Sequence, residues 1–147
     1  MKFTCIINID SPIEKVAEYF ADPQYLKEYQ EGFKSKELIE GESGQKGAIS
    51  KMIYQNGKNV MELTETILEN KLPYEFVGQY HHKHMDNTMK CTFEDLGNGQ
   101  TRYTSEIEYT AFRGFIPKLL GLVGKGMFRK QVEKWLNNFK SFVEAQS

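Results

Sequence analysis

Between Phe33 and Ala111 the chain is cut by EGESGQKG, QNGK, ENKLP, MDN and GNGQ, all turn signals, into segments of strand length. No other feature restricts the fold as strongly. Consecutive strands joined by short turns form an antiparallel meander, because a parallel pair needs a crossover of a dozen residues or more. Ahead of them, KFTCIINID sets Phe3, Cys5, Ile7 and Ile9 against Lys2, Thr4 and Asn8, with Ile6 as the exception. That alternation predicts a half-buried strand. DSPIEKVAEYF then predicts a short helix. Asp10 or Ser11 can cap it, Pro12 suits its first turn, Glu14 follows Ser11 as in a capping box, and Ile13, Val16, Ala17 and Phe20 share a face. DPQYLKEY, Asp22 to Tyr29, predicts a second short helix. The final stretch places Leu120, Val123, Met127, Gln131, Trp135, Phe139 and Phe142 at three-to-four spacing, the mark of a long amphipathic helix. The expected fold is α+β: a curved antiparallel sheet of six to seven strands wrapped around the long C-terminal helix, with two short helices after the first strand. One domain spans residues 1–147.

The net charge of −1 gives no support to a nucleic-acid partner, which would call for a basic excess. Cys5 and Cys91 form no disulfide framework and no CxxC pair, and read as free thiols in a reducing cytoplasm. MKFTCIINID has neither the shape of a signal peptide nor that of a membrane span, so a cytoplasmic protein without stable membrane insertion is expected.

Turn lengths predict registers. A two-residue Asn56-Gly57 turn sets Met52 opposite Met61, Ser50 opposite Leu63 and Ala48 opposite Glu65. An Asp86-Asn87 turn sets His84 opposite Met89, His82 opposite Cys91 and Tyr80 opposite Phe93. The Gly97-Asn98-Gly99 loop sets Phe93 opposite Tyr103, Cys91 opposite Ser105 and Met89 opposite Ile107. Counting back through ENKLP puts Glu65 opposite Gly78 and Leu63 opposite Tyr80. Three separate turns agree on one inward face, carrying Met52, Met61, Leu63, Ile67, Phe76, Tyr80, His82, Met89, Cys91, Phe93, Tyr103, Ile107 and Tyr109.

YHHKHMD holds all three histidines of the chain. Alternation sends His81 and His82 to opposite sides, and His82 and His84 have only Cys91, Met89 and Met61 facing them, a poor zinc set. No metal and no cofactor are expected. His82 reads as a polar group near the rim, with a ligand-facing role as the alternative, and His84 as a solvated tip residue. Glu65 is the odd inward residue. A bare buried carboxylate is costly, so three readings stand: a β-bulge turns it outward, it pairs with a Tyr or Arg, or it meets a ligand as an acid–base group. Gly121, Gly124 and Gly126 in the final helix cost about 1 kcal/mol each against alanine. They either thin the layer beneath the sheet, permit a bend, or mark a loop. Lys118, Lys125, Arg129, Lys130 and Lys134 read as a solvated face, with membrane docking as the alternative.

The start of the chain, with Ile7, Ile9, Asp10, Ser11, Pro12, Glu14, Val16, Phe20, Asp22 and Pro23, resembles the START-like, helix-grip (SRPBCC) superfamily of polyketide cyclase/dehydrase-type and lipid-transfer proteins. Leu72-Pro73 and the Phe93…Gly97-Asn98-Gly99…Thr101 segment fit the same pattern, and the resemblance covers essentially the whole chain. It implies a cavity between sheet and helix that holds a hydrophobic or amphipathic small molecule. The residues implied to line it are Met52, Tyr54, Met61, Leu63, Glu65, Phe76, Tyr80, His82, Met89, Cys91, Phe93, Tyr103, Ile107, Tyr109, Leu120 and Met127. Fold does not choose among the superfamily's activities.

A carrier or sensor of such a molecule is the leading expectation, as a monomer or weak dimer. The alternative is a polyketide cyclase/dehydratase-like enzyme, with Glu65, Tyr80 and His82 as catalytic candidates and Tyr103 beside them. No Ser–His–Asp order, HExxH, P-loop or GxGxxG is present. A protein-interaction module ranks last, because the outward faces are mostly Thr, Lys, Glu and Gln.

Overall fold

The computed structural model describes residues 1–114 and 116–146, the side chains of 116–125 excepted. Seven strands form one antiparallel sheet: β1 (Lys2–Ile9), β2 (Phe33–Glu40), β3 (Ile49–Asn56), β4 (Asn59–Lys71), β5 (Glu75–His81), β6 (Met85–Gly97) and β7 (Gln100–Phe112). Their order across the sheet is β1-β7-β6-β5-β4-β3-β2, a meander closed at one edge by the N-terminal strand. Between β1 and β2 lie α1 (Ile13–Ala21), a 3-10 turn (Pro23–Tyr25) and α2 (Leu26–Tyr29), and α3 (Ile116–Ala145) ends the chain. The α+β architecture is that of a helix-grip fold. The glycine-rich part of the last helix is continuous helix, since α3 runs through it unbroken.

Two local expectations fail at α1. Pro12 itself is the N-cap, and no side chain caps the helix. Ser11 is instead buried, and its carbonyl accepts a hydrogen bond from Thr101 Oγ1 at 2.8 Å. Asp22 does cap the 3-10 turn, accepting from the Gln24 amide at 3.0 Å.

The β6–β7 register is as expected, with Phe93 opposite Tyr103, Cys91 opposite Ser105 and Met89 opposite Ile107. The other three are displaced. The β3–β4 turn is Gly57-Lys58, which sets Met52 opposite Leu63 and Ser50 opposite Glu65. Gly57 takes φ +62°, the left-handed conformation that such tight hairpin turns favour. The β5–β6 turn is Lys83-His84, closed by paired His82 and Met85 backbone hydrogen bonds, so Tyr80 faces Asn87 and Phe76 faces Cys91. Across β4–β5, Glu65 faces Tyr80 and Ile67 faces Gly78. Each displacement is an even number of residues. Side chains alternate with period two, so every strand keeps its inward face while its partners change.

The packed core sits at one end of the molecule. Ile13, Val16 and Ala17 of α1 and Leu136, Phe139 and Val143 of α3 are buried. Phe20 is the hub of an aromatic cluster, with ring centroids 5.1 Å from Phe93, 5.4 Å from Phe76 and 6.2 Å from Phe139. Polar ties fasten the end of α3: Glu144 accepts from the Asp10 amide at 2.7 Å, and Lys140 Nζ donates to the Asn8 carbonyl at 2.6 Å. Toward the other end of α3 the helix carries Met127, Phe128, Gln131 and Val132, and there the interior opens.

Candidate functional site

A cavity of about 660 Å³ lies between the concave face of the sheet and α3. Its walls come from the inward positions. Met52 and Tyr54 of β3, Met61, Leu63 and Glu65 of β4, and Phe76, Tyr80 and His82 of β5 and its turn line it. So do Met89 of β6, Tyr103, Ile107 and Tyr109 of β7, and Met127 of α3. Two inward residues stand behind the wall instead. Cys91 and Phe93 are fully packed, Cys91 against the Tyr103 hydroxyl at 3.4 Å and Phe93 against the Tyr103 ring at 4.7 Å. The Leu120 side chain lies outside the described residues, as do those of Val123, Lys118 and Lys125.

Glu65 points inward and is 5% exposed. The bulge that would turn it outward is absent at this position. The β4 irregularity falls between Ile67 and Glu69. Its carboxylate has two partners: the Tyr80 hydroxyl donates to Oε2 at 2.8 Å, and Lys36 Nζ lies 2.8 Å from Oε1. The latter contact is an ion pair without hydrogen-bond alignment, so Oε1 makes no directed hydrogen bond. Gly78 makes room for this arrangement, since a Cβ there would stand 2.7 Å from the Tyr80 hydroxyl.

Lys36 carries no signal in the sequence that would place it here. Strict alternation from the inward Phe33 sends Lys36 to solvent. A register shift between Phe33 and Ser35 reverses the parity, so that Phe33 faces Tyr54 and Lys36 faces Met52, both on the inward side. Gln30, also unforeseen, accepts a 2.6 Å hydrogen bond from the Tyr54 hydroxyl. Tyr54 stacks on Trp135 with centroids 5.8 Å apart and planes 16° apart. Trp135 lies on the foreseen helix stripe, but only the packing turns it into a cavity wall.

Burial, and then the Glu65 charge, push the Tyr80 and Tyr54 hydroxyls well above the usual phenol range, so both are protonated donors at neutral pH. The Cys91 thiol is pushed up to about 12, chiefly by burial, and is inert as a nucleophile. The His82 imidazole is pushed down by burial and by its neighbour His84, so it is neutral at pH 7.

The histidine stretch resolves as a hairpin tip. His81 faces outward, its Nδ1 2.6 Å from Asp86 Oδ1. His82 lines the cavity, and its Nδ1 accepts from the His84 amide at 3.2 Å. His84 sits in the turn and is only half-exposed. Arg113, at the end of β7, clasps the tip: its guanidinium donates to both Asp86 oxygens at 3.0 and 2.8 Å and to the His82 carbonyl. Arg113 holds the Asp86 carboxyl below the usual carboxylate range. Among the described residues no three His, Cys, Asp or Glu side chains converge as a metal site. None of the described helices is long and apolar enough to cross a membrane.

A meander gripping its C-terminal helix around an apolar cavity defines a START-like protein. The family model for polyketide cyclase / dehydrase and lipid transport proteins matches residues 1–144, and the chain belongs to that family. Among solved structures, the aromatase/cyclase ZhuI from Streptomyces sp. R1128 superposes with a TM-score of 0.81 at 10% identity, covering 98% of this chain and 93% of its own. A protein from Thermus thermophilus gives 0.77 at 17% identity, with 100% and 99% covered. Ara h 8.0201 gives 0.75 at 12% identity, with 99% and 98% covered. At such identities the likeness is one of fold. Among curated proteins no match was found.

Proposed function

We propose that this protein binds a small hydrophobic or amphipathic molecule in the cavity between the sheet and α3, as a carrier or sensor. The observation that carries this reading is the cavity itself: about 660 Å³, walled by Met52, Met61, Met89 and a ring of aromatics. Its size is that of a ligand pocket. Methionine adapts to irregular ligand shapes, and aromatic rings give broad apolar contact. The chain's single tryptophan, Trp135, stands in the wall and reports on occupancy. The test is native mass spectrometry of the purified protein with solvent extraction of anything bound, followed by titration of neutral aromatic ligands against Trp135 fluorescence. Saturable quenching at one-to-one stoichiometry supports the reading. No fluorescence change with any ligand, and no co-purified molecule, would sink it.

A second reading is a cyclase- or dehydratase-type enzyme on a polyketide-like substrate. The buried Glu65 carboxylate, held on the cavity wall by the half-buried Lys36 and Tyr80, favours it. Glu65 would take a proton from carbon next to a carbonyl. The Tyr80 hydroxyl already donates its hydrogen bond to Glu65, so it positions the carboxylate rather than the substrate. Turnover of a co-purified molecule by wild type, and equal turnover by Glu65→Gln, would remove Glu65 from this role.

A further inference from the structure

Tyr29, Tyr54, Tyr80, Tyr103 and Tyr109 all line the cavity. A buried tyrosine hydroxyl ordinarily finds a hydrogen-bond partner. Three of these do so within the wall itself. The Tyr54 hydroxyl donates to Gln30, the Tyr80 hydroxyl donates to Glu65, and the Tyr103 hydroxyl is engaged with Cys91 and Ser105. Tyr29 differs. It is 7% exposed, yet its hydroxyl makes no hydrogen bond to any described residue. Its oxygen is not sealed into the packing either, and keeps open surface. The residue lines the cavity, and its neighbours there are the inward groups Tyr54, Cys91 and Glu65. That open surface therefore faces the cavity. The Tyr109 hydroxyl also lacks a partner, but Tyr109 is only half-buried and constrains a ligand less.

Tyr29 is also held firmly. It ends α2, and its carbonyl accepts from Asn138 Nδ2 of α3 at 3.2 Å. Its ring meets Phe139 edge-on, with centroids 4.8 Å apart. Burial first, and then Tyr54, Cys91 and Glu65, push its hydroxyl well above the usual phenol range, so it keeps its proton at neutral pH. A neutral phenol is a better donor than acceptor, because its ring draws on the oxygen lone pair. The wall thus presents one fixed O–H donor to an apolar space.

We propose, building on the binding reading above, that Tyr29 is the specificity-determining residue of this cavity, and that it selects a neutral, largely apolar ligand whose carbonyl oxygen, that of a ketone, ester or quinone, accepts a hydrogen bond from the Tyr29 hydroxyl. A hydrocarbon of the same shape would cover that hydroxyl and leave it unpaired, which costs its full desolvation. Neutrality follows from the charges on the wall. Among the described lining residues Lys36 is the one lysine or arginine, and Glu65 already matches it. An anionic ligand would enter a low-dielectric space without a cation of its own.

The test compares 2-acetylnaphthalene with 2-isopropenylnaphthalene, in which a CH2 group replaces the carbonyl oxygen, by isothermal titration calorimetry on the full chain. Tyr29→Phe keeps the ring against Phe139 and removes only the hydroxyl. It is expected to weaken 2-acetylnaphthalene about fivefold, as one neutral hydrogen bond supplies, and to leave the isopropenyl compound as tight as before or tighter. A second readout is the infrared carbonyl band of the bound ketone. In wild type it is expected below its position in cyclohexane, and in Tyr29→Phe it moves back up. Equal weakening of both compounds would make Tyr29 a structural residue and overturn the proposal. So would an unchanged ketone affinity, or a wild-type carbonyl band at its cyclohexane position, a result that needs no variant. Each of these leaves an apolar binder standing. Failure of both compounds to bind wild type would overturn the binding reading with it.

Discussion

The hydroxyl of Tyr80 lies 2.8 Å from Glu65 Oε2, across the β4–β5 pair in which the two residues stand directly opposite one another. A carboxylate in an apolar wall is tolerable only with partners, and this bond supplies one of them. Tyr80→Phe keeps the ring and removes the donor. It is expected to cost about 1–3 kcal/mol in urea unfolding, and far less when Glu65→Leu is already present. A loss that is the same in both backgrounds would show that the bond carries no stability.

Lys36 is the other partner, and its side chain is 20% exposed. Removing one member of a buried ion pair strands the other, so Lys36→Met is expected to destabilise by about 3 kcal/mol. Replacing both, as Lys36→Met with Glu65→Leu, recovers most of that loss. Unfolding free energies of the two variants check this. A double variant no more stable than the single one contradicts it.

Gly78 has no positive φ, so alanine is permitted by its backbone, yet a Cβ would meet the Tyr80 hydroxyl at 2.7 Å and two ring carbons at 3.0 Å. The ring must swing away and release Glu65. Gly78→Ala is expected to cost about 1–3 kcal/mol. Combined with Tyr80→Ala it is expected to become neutral or stabilising. Additive losses would place the clash elsewhere.

The His82 imidazole is held below its ordinary value of 6.5 by burial first and by His84 next. Between the folded and unfolded values the unfolded chain binds more protons, so stability rises with pH across that window. It is fully present above about 6.5 and is lost as the pH falls through the lowered folded value. His82→Gln is expected to flatten this slope in thermal melts between roughly pH 7 and pH 5. An unchanged slope would assign the effect to another group.

Met89 faces open space on the wall that β6 supplies. Met89→Trp is expected to fill part of the cavity, hold or raise the melting temperature, and abolish binding of ligands that wild type takes up. Into a tightly packed interior the same change would cost about 1–3 kcal/mol, so a sharp drop in melting temperature argues against the cavity.

Much of this was legible in residue order alone. The meander, the two short helices, the gripped helix and the inward faces of β3 to β7 follow from turn signals and two periodicities. The β6–β7 register was also legible, because the Gly97-Asn98-Gly99 loop leaves little choice. The β5–β6 register was not. Asp86-Asn87 has better turn chemistry than Lys83-His84, but Arg113 binds both oxygens of Asp86 and keeps it in the strand. A contact from 27 residues away overrode the local preference.

The sequence by itself determined which side chains share a face, because alternation along a strand is covalent geometry and survives any even change of register. Met52, Leu63, Glu65, Tyr80 and Met89 were therefore inward whatever their neighbours. Only the tertiary structure decided what Glu65 meets there. A register shift on the edge strand β2 turns Lys36 inward, and a two-residue difference across β4–β5 puts Tyr80 opposite Glu65. Where a strand bulges depends on how the curved sheet closes over the helix. That is a balance struck by the whole molecule, and no short stretch of the chain encodes it.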